Sequence, residues 1–364
     1  MHRIALLAIL LLLTAGLACG GGGGSNENGR VDDDDDTADD DTGGDDDNDS
    51  ETCPNIYCVQ EETDLDAPWE CEGNAGDCYE DFYDFLDLAG AYGDAIPEAE
   101  LDAQIDAIRN DEVPLFEGAL TAAELSDTLV TGLNFAFLHD GLYQRLLTVT
   151  KIAEYDENGY TELNFLFDDP LTGTTLGVFL LPDGPGPHPA IVAVHGHEGD
   201  ARDFIENFGG VYYAQHGIAV LALTMRVLSG VPWEPTIARE LLLGGFTLPA
   251  YRMAENLNAY RYLQYREDID NDSIGLMSHS GGNCSNNLLI RVASGFQAYV
   301  SDFTCTYGDI DGGGNLASSF VPTIFPYHEL VNDFETAALP VFVGPYGYEG
   351  LEEDILAFFT EHLL

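Results

Sequence analysis

The residues whose types and spacing could do chemistry gather around Ser280, in the run Ile274-Gly275-Leu276-Met277-Ser278-His279-Ser280-Gly281-Gly282-Asn283. A strand-like stretch enters, small residues flank the serine, and a helical stretch leaves. Ser278 and Gly282 leave room for a sharp turn that would lift the hydroxyl clear of a sheet. The Gly281 amide, at the start of the helix, would face the oxyanion that forms when such a hydroxyl attacks a carbonyl. The usual pattern has glycine two residues before the nucleophile, so Ser278 is a departure. An ordinary small-residue strand–helix turn is the bland alternative, and the Asp-Ile-Asp turn leading in argues against it. A second run, Val192-Ala193-Val194-His195-Gly196-His197-Glu198-Gly199, follows another buried strand. Gly196 lets the backbone come close, so Gly196 and His197 are candidates for a second oxyanion amide. His195 and His197 could instead ligate a metal, but no further His or Asp partner stands at a clear spacing, and no metal is expected.

From about Leu180 to its last residue the chain resembles the dienelactone hydrolase and acetyl xylan esterase-like branch of the α/β-hydrolases. The resemblance rests on the His195-Gly196-His197 turn, on Leu241-Leu242-Leu243-Gly244-Gly245, and on the helix Tyr251 to Tyr265 running through Asp268-Ile269-Asp270-Asn271-Asp272 into the elbow. It implies an α/β-hydrolase fold, a mostly parallel doubly wound sheet shortened at its C-terminal end. It also implies a serine esterase that needs no cofactor and uses a Ser-His-acid set. The acid and the histidine are where this chain departs. After Leu339-Pro340-Val341-Phe342-Val343, the family's acid position falls near Glu349, but no histidine follows outside the terminal helix. If Val341 to Val343 is instead the last strand, Tyr348 stands where the family has histidine. His328, in the long loop after the Ala298–Thr304 strand, is the substitute base, with Asp309 or Asp311 to orient it; an ordinary loop histidine reads equally well. His279 is a poor base on this reading, because adjacent residues across a sharp turn point apart. The expected catalytic set is therefore Ser280, His328 and Glu349. Cys284, one turn beyond Ser280, reads as packed or disulfide-bonded rather than nucleophilic, and a Cys284–Cys305 bridge would join the elbow helix to the neighbouring strand.

The elements that must position these groups follow a readable order. Strand patterns cover Leu146 to Thr150, Thr161 to Phe167 and Leu176 to Leu181, followed by the continuous apolar runs Pro189 to Val194 and Ile218 to Leu223. Such runs suit strands buried on both faces. Helical stretches fall at Asp203 to His216, Pro249 to Tyr265, Asn287 to Ser294 and Leu351 to Leu363; further strands fall at Ser273 to Met277, Ala298 to Thr304 and Val341 to Val343. An antiparallel start followed by alternating strand and helix predicts a mixed doubly wound sheet over residues 143–364. Residues 53–142 read as a cysteine-containing helical segment. Leu101, Ile105 and Ile108 share a helical face there, and Thr121 to Glu124 has the capping-box pattern. Its helices are expected to pack against the domain rather than to form a lid.

Composition bounds the partners. The chain holds 65 acidic and 12 basic residues, a formal net charge of −53. Lys151 is the only lysine. Twelve aspartates lie between Asp32 and Asp49, and removing them still leaves about −41. Such a surface repels phosphate backbones, so no nucleic-acid partner is expected, and salt would screen its self-repulsion. Residues 1–19 read as a signal peptide, with a short basic start, an apolar run from Ile4 to Leu13 and small residues before Cys19. This resembles a bacterial lipoprotein signal, with Cys19 as the lipidation site, although Gly16 stands where leucine is usual. Cleavage after Ala18 without acylation is the alternative. Residues 20–52 are a Gly/Asp-rich tether, and its aspartates lack the spacing of a calcium loop. The protein is thus expected in the cell envelope, touching the membrane only through a lipid anchor at Cys19, or secreted. Six cysteines besides Cys19 suit disulfides better than zinc. Two functions remain from sequence. One is a serine hydrolase acting on a small-molecule or carbohydrate-linked ester; the other is a hydrolase-derived domain that has lost activity and binds a ligand or partner. No propeller-like repeats support a peptidase.

Overall fold

The structure is a computed structural model that describes residues 54–65, 95–197, 199–225, 234–310, 317 and 319–364. The signal peptide, Cys19, the tether, and Cys53, Cys71, Cys78 and Asp311 lie outside the described residues.

Three ten-residue strands, β2 (Leu147–Asp156), β3 (Tyr160–Asp169) and β4 (Gly173–Pro182), form an antiparallel meander. They follow β1 (Val59–Thr63), which lies parallel to β2 at the sheet edge. The 53–142 stretch, read as helical, therefore also supplies a strand. Beyond β4 come β5 (His188–Val194), β6 (Ala219–Leu223), β7 (Ile269–Ser278), β8 (Tyr299–Ser301) and β9 (Val341–Val343). The nine strands run in the order β1-β2-β3-β4-β6-β5-β7-β8-β9. β4 meets β6 antiparallel, and from β6 to β9 every pairing is parallel. All five residues of β6 are buried, as continuous apolar runs require when helices cover both faces.

Helices α1 (Glu98–Arg109), α2 (Ala122–Gly132) and α3 (Ala136–Asp140) precede the meander. Thr121 and Glu124 close the expected capping box on α2. Leu125, Leu129, Leu133 and Phe135 share the main core with β-strand residues such as Val149 and Phe165. Leu101, Ile105 and Ile108 of α1 pack on Leu242 and Phe320 in a smaller cluster. The single helical stretch expected over Asp203–His216 is two helices, α4 (Ala201–Asn207) and α5 (Gly210–Gln215). Gly209, at φ 83°, breaks them where an L side chain would be strained. Next come α6 (Glu234–Leu243), α7 (Leu248–Tyr265) and α8 (Gly281–Val292). α8 begins directly after Ser280, six residues earlier than the apolar pattern indicated, because its first turn is small and polar.

Helix α7 is buried from Leu248 to Leu263, polar residues included. Several of those polar groups find partners across the core. Arg261 donates to the Leu142 and Arg145 carbonyls, and Glu255 accepts from Thr175 at 3.1 Å. Such bonds offset the cost of burying polar groups and tie the meander and the segment between α3 and β2 to the central helix. A short helix α9 (His328–Val331) and the final α10 (Glu352–Leu363) complete the fold. Ile355, Phe359 and Leu363 of α10 pack on the face of the sheet opposite α7, with Val178, Ile191 and Met277.

Candidate active site

The site follows from sheet register. Val194, Ser278, Ser301 and Val343 are level across β5, β7, β8 and β9. The residues just past these strand ends are therefore brought side by side: His195 and Gly196, His279 and Ser280, Asp302, and the turn from Gly344 to Gly347. β5 continues to β6 on one side, and the next strand, β7, lies on the other. The strand order therefore reverses between β5 and β7, and in open α/β sheets the ligand crevice lies at such a point, outside the carboxyl ends of the parallel strands.

Ser280 is the apex. Its backbone takes φ 48° and ψ −119°, a conformation that costs a non-glycine residue roughly 1–3 kcal/mol. Neighbouring bonds hold it there. The Ser280 N–H donates to Asp302 Oδ1 at 2.9 Å, and Asn283 donates to the Ser280 carbonyl from its backbone at 3.0 Å and from Nδ2 at 3.1 Å. Gly282 has a steric reason to be glycine, since a Cβ there would lie 2.6 Å from the His195 carbonyl oxygen. Ser278 occupies the position where glycine is usual because its hydroxyl has a use. It donates to Asn283 Oδ1 at 2.8 Å and also meets the Tyr299 hydroxyl at 2.8 Å, within a buried network that includes Ser301. Gly281 opens α8, so the helix offers its amide no carbonyl partner. Gly196 lies against the elbow, where a Cβ would fall 2.7 Å from Ser280 Cβ and 3.0 Å from His279 Cδ2.

The two histidines beside Gly196 are structural. His195 is buried; its Nε2 accepts the Met225 N–H at 2.8 Å, so Nδ1 carries the proton and donates to the Gly196 carbonyl at 2.7 Å. Burial pushes this imidazole down to about 4, so it is neutral near pH 7 and clamps the β5 loop to the β6 loop. With both ring nitrogens engaged it cannot ligate a metal. His197 Nε2 lies 3.2 Å from Glu234, which also accepts from the buried Arg252 at 2.8 Å. Burial alone would raise the Glu234 carboxyl, but His197 and Arg252 hold it at about 2. No group of three or more His, Cys, Asp or Glu that could hold a metal occurs among the described residues.

Asp302 organises the mouth. Its side chain is fully buried, and four donors share its two oxygens: Ser280 N–H and Asn283 Nδ2 on Oδ1, Gly347 N–H and His279 Nδ1 on Oδ2, all between 2.6 and 2.9 Å. Burial would raise this carboxyl; the bonds from His279, Gly347 and Ser280 outweigh it and hold the group below the ordinary aspartate range. The His279 ring stacks on Phe208 with centroids 4.2 Å apart and meets the Tyr346 ring at 4.9 Å. The Tyr346 hydroxyl donates to Ser280 Oγ at 3.0 Å.

The structure places the remaining sequence candidates elsewhere. Nδ1 of His328 pairs with the Phe325 carbonyl of its own turn at 2.9 Å. Its helix is tied to α8 through Asn332 and Asn287, two helical turns past Ser280, or about 10 Å at the α-helical rise. Asp309 accepts from Thr306. Glu349 is exposed in the turn before α10. Among the described residues, no hydrogen bond joins His328 or Glu349 to Ser280. β9 is the last strand of the sheet, as the second alignment required, but Tyr348 is buried with its hydroxyl on the Ser278 carbonyl. Tyr346, two residues earlier, is the tyrosine at Ser280. Sequence reasoning missed Asp302 and Tyr346. The signals were slight: an acid at the end of the strand beside the elbow, and an aromatic residue within Gly344-Pro345-Tyr346-Gly347. Cys284 and Cys305 are disulfide-bonded, joining α8 to the segment after β8.

No family model matches the chain, and no curated protein matches it by sequence. Solved structures do. A Bacteroides fragilis NCTC 9343 protein provisionally assigned as an acetyl xylan esterase aligns at 15% identity and TM-score 0.50, over 68% of this chain and 77% of its own. Acetyl xylan esterase 1 from Thermoanaerobacterium sp. JW/SL YS485 aligns at 12% identity and TM-score 0.48, over 68% of this chain and 94% of its own. At such identities the likeness is one of architecture. Together with the strand order and the elbow at the reversal point, the likeness to the Bacteroides fragilis structure identifies the chain as a protein of the α/β-hydrolase fold.

Proposed function

We propose that this protein is a serine hydrolase of the esterase type that acts on a small-molecule or carbohydrate-linked ester and forms an acyl-enzyme at Ser280. The observation that carries this reading is the strained Ser280 backbone at the turn from β7 into α8, which is held by Asp302 and Asn283 and puts the hydroxyl at the crevice. Strain of this kind persists only where the surroundings enforce it, and it collects at functional turns. In the proposed reaction Ser280 Oγ attacks the ester carbonyl. The Gly281 amide and an amide of the Gly196–His197 turn donate to the developing oxyanion, and such donors act most strongly in a site shielded from water. The acetyl xylan esterases of like architecture suggest an O-acyl group on a sugar as the first substrate to try. The signal-like residues 1–19 support an envelope location, through lipidation of Cys19 or by secretion.

A second reading, a hydrolase-derived binding protein, is favoured by one contact. Ser280 Oγ accepts from the Tyr346 hydroxyl, and among the described residues no imidazole is hydrogen-bonded to it. A fluorophosphonate probe separates the two. Labelling of the folded protein that Ser280→Ala abolishes is the expected result. Folded protein that remains unlabelled supports the binding role.

A further inference from the structure

We propose that His279, held by Asp302, is the general base for Ser280, in place of a histidine from a later loop. The inference rests on the reading of Ser280 as a nucleophile. Adjacency in sequence argued against it, but the fold alters that argument. The positive φ of Ser280 turns the chain so that both side chains border the backbone of Gly196. A single point one Cβ bond above Gly196 lies 2.7 Å from Ser280 Cβ and 3.0 Å from His279 Cδ2, the ring carbon bonded to Nε2. Both side chains therefore pack against the same point of the Gly196 backbone, and the imidazole presents there the ring carbon next to Nε2.

The tautomer is also set. Asp302 Oδ2 lies 2.6 Å from His279 Nδ1, and the carboxylate is fully buried and ionised by its other donors. Nδ1 must carry the proton, which leaves the lone pair of neutral His279 on Nε2. Phe208 stacks on the ring and Tyr346 packs against it, so its plane is fixed. The turn carrying Tyr346 is fixed in turn by Gly344 N–H on Ser301 and Gly347 N–H on Asp302. His195 has both nitrogens engaged, and His197 and His328 are engaged by Glu234 and the Phe325 carbonyl. Among the described histidines, His279 alone combines an acid on Nδ1 with a place beside Ser280.

The steps balance without a cofactor. His279 Nε2 takes the Ser280 proton as Oγ bonds to the carbonyl carbon. The imidazolium, stabilised by Asp302, then protonates the departing alkoxide as its C–O bond breaks. In the second half, Nε2 takes a proton from water attacking the acyl carbon and returns it to Oγ as that ester bond breaks.

The test is the rate of Ser280 phosphonylation by a fluorophosphonate in the full chain, with hydrolysis of a 4-nitrophenyl ester alongside. The telling variant is His279→Gln. Its side-chain N–H can still donate to Asp302, so the packing role survives while the basic nitrogen is lost; His279→Ala is the second variant, should the glutamine protein fail to fold. Expected is a loss of roughly 100-fold or more in both rates, with an unfolding midpoint close to wild type. A folded His279→Gln protein that labels at the wild-type rate overturns the assignment and leaves the nucleophile reading standing. Loss on His328→Ala with none on His279→Gln also overturns it, in favour of His328. A folded wild-type protein that does not label at all overturns both readings.

Discussion

The sharpest stability prediction concerns His195, whose imidazole is held neutral inside the crevice wall. Its folded value is about 4 against an ordinary 6.5, because burial penalises the charged form. Between those two values the unfolded chain binds a proton at this position and the folded chain does not. Folding stability should therefore fall as pH drops from about 6.5 to about 4, with the contribution fully lost below that. At ~1.4 kcal/mol per pH unit, the fall amounts to about 3 kcal/mol. Other groups titrate in the same range, so the measurement is a difference. Urea unfolding of wild type and His195→Gln would be followed in small pH steps through that window. Glutamine can accept the Met225 N–H and donate to the Gly196 carbonyl, at an expected cost of about 1–2 kcal/mol near neutrality for imperfect geometry. It does not titrate, so the two curves should converge as pH falls and then cross. Parallel curves would refute the reasoning, since they would mean that His195 does not resist protonation in the folded state.

Asp302→Asn should cost about 3 kcal/mol in denaturant unfolding, because one amide cannot accept from the four donors that now share the carboxylate. Since the folded carboxyl lies below its ordinary 3.8, its contribution is present above that value and is lost as pH falls through the lowered one. The asparagine variant should lack this acid dependence, and a cost under about 1 kcal/mol would show that the shared carboxylate does not hold the elbow. Breaking the Cys284–Cys305 bridge by paired serine substitution should cost about 3 kcal/mol for a loop of 21 residues. Peptide mapping without reductant should recover the two cysteines joined; finding both as thiols would remove the bridge from the account.

What the sequence by itself determined is local or periodic. The buried strands at Pro189–Val194 and Ile218–Leu223, the capping box at Thr121, the helix through Tyr265 and the elbow at Ser280 all depend on residues within a few positions of one another, so pattern and turn chemistry reveal them. The choice of partner for Ser280 depended on register. Asp302 reaches the elbow because Ser301 pairs level with Ser278, and Tyr346 does so because Val343 pairs level with Ser301. No spacing along the chain encodes that alignment. It also explains why His328, apt by residue type and loop position, lies about two turns away along α8. His279 shows the contrast most plainly. Its neighbour in sequence made it look ill-placed, yet the positive φ of Ser280 and the buried carboxylate of Asp302, both consequences of packing across four strands, set its ring beside Ser280 with Nδ1 on the acid.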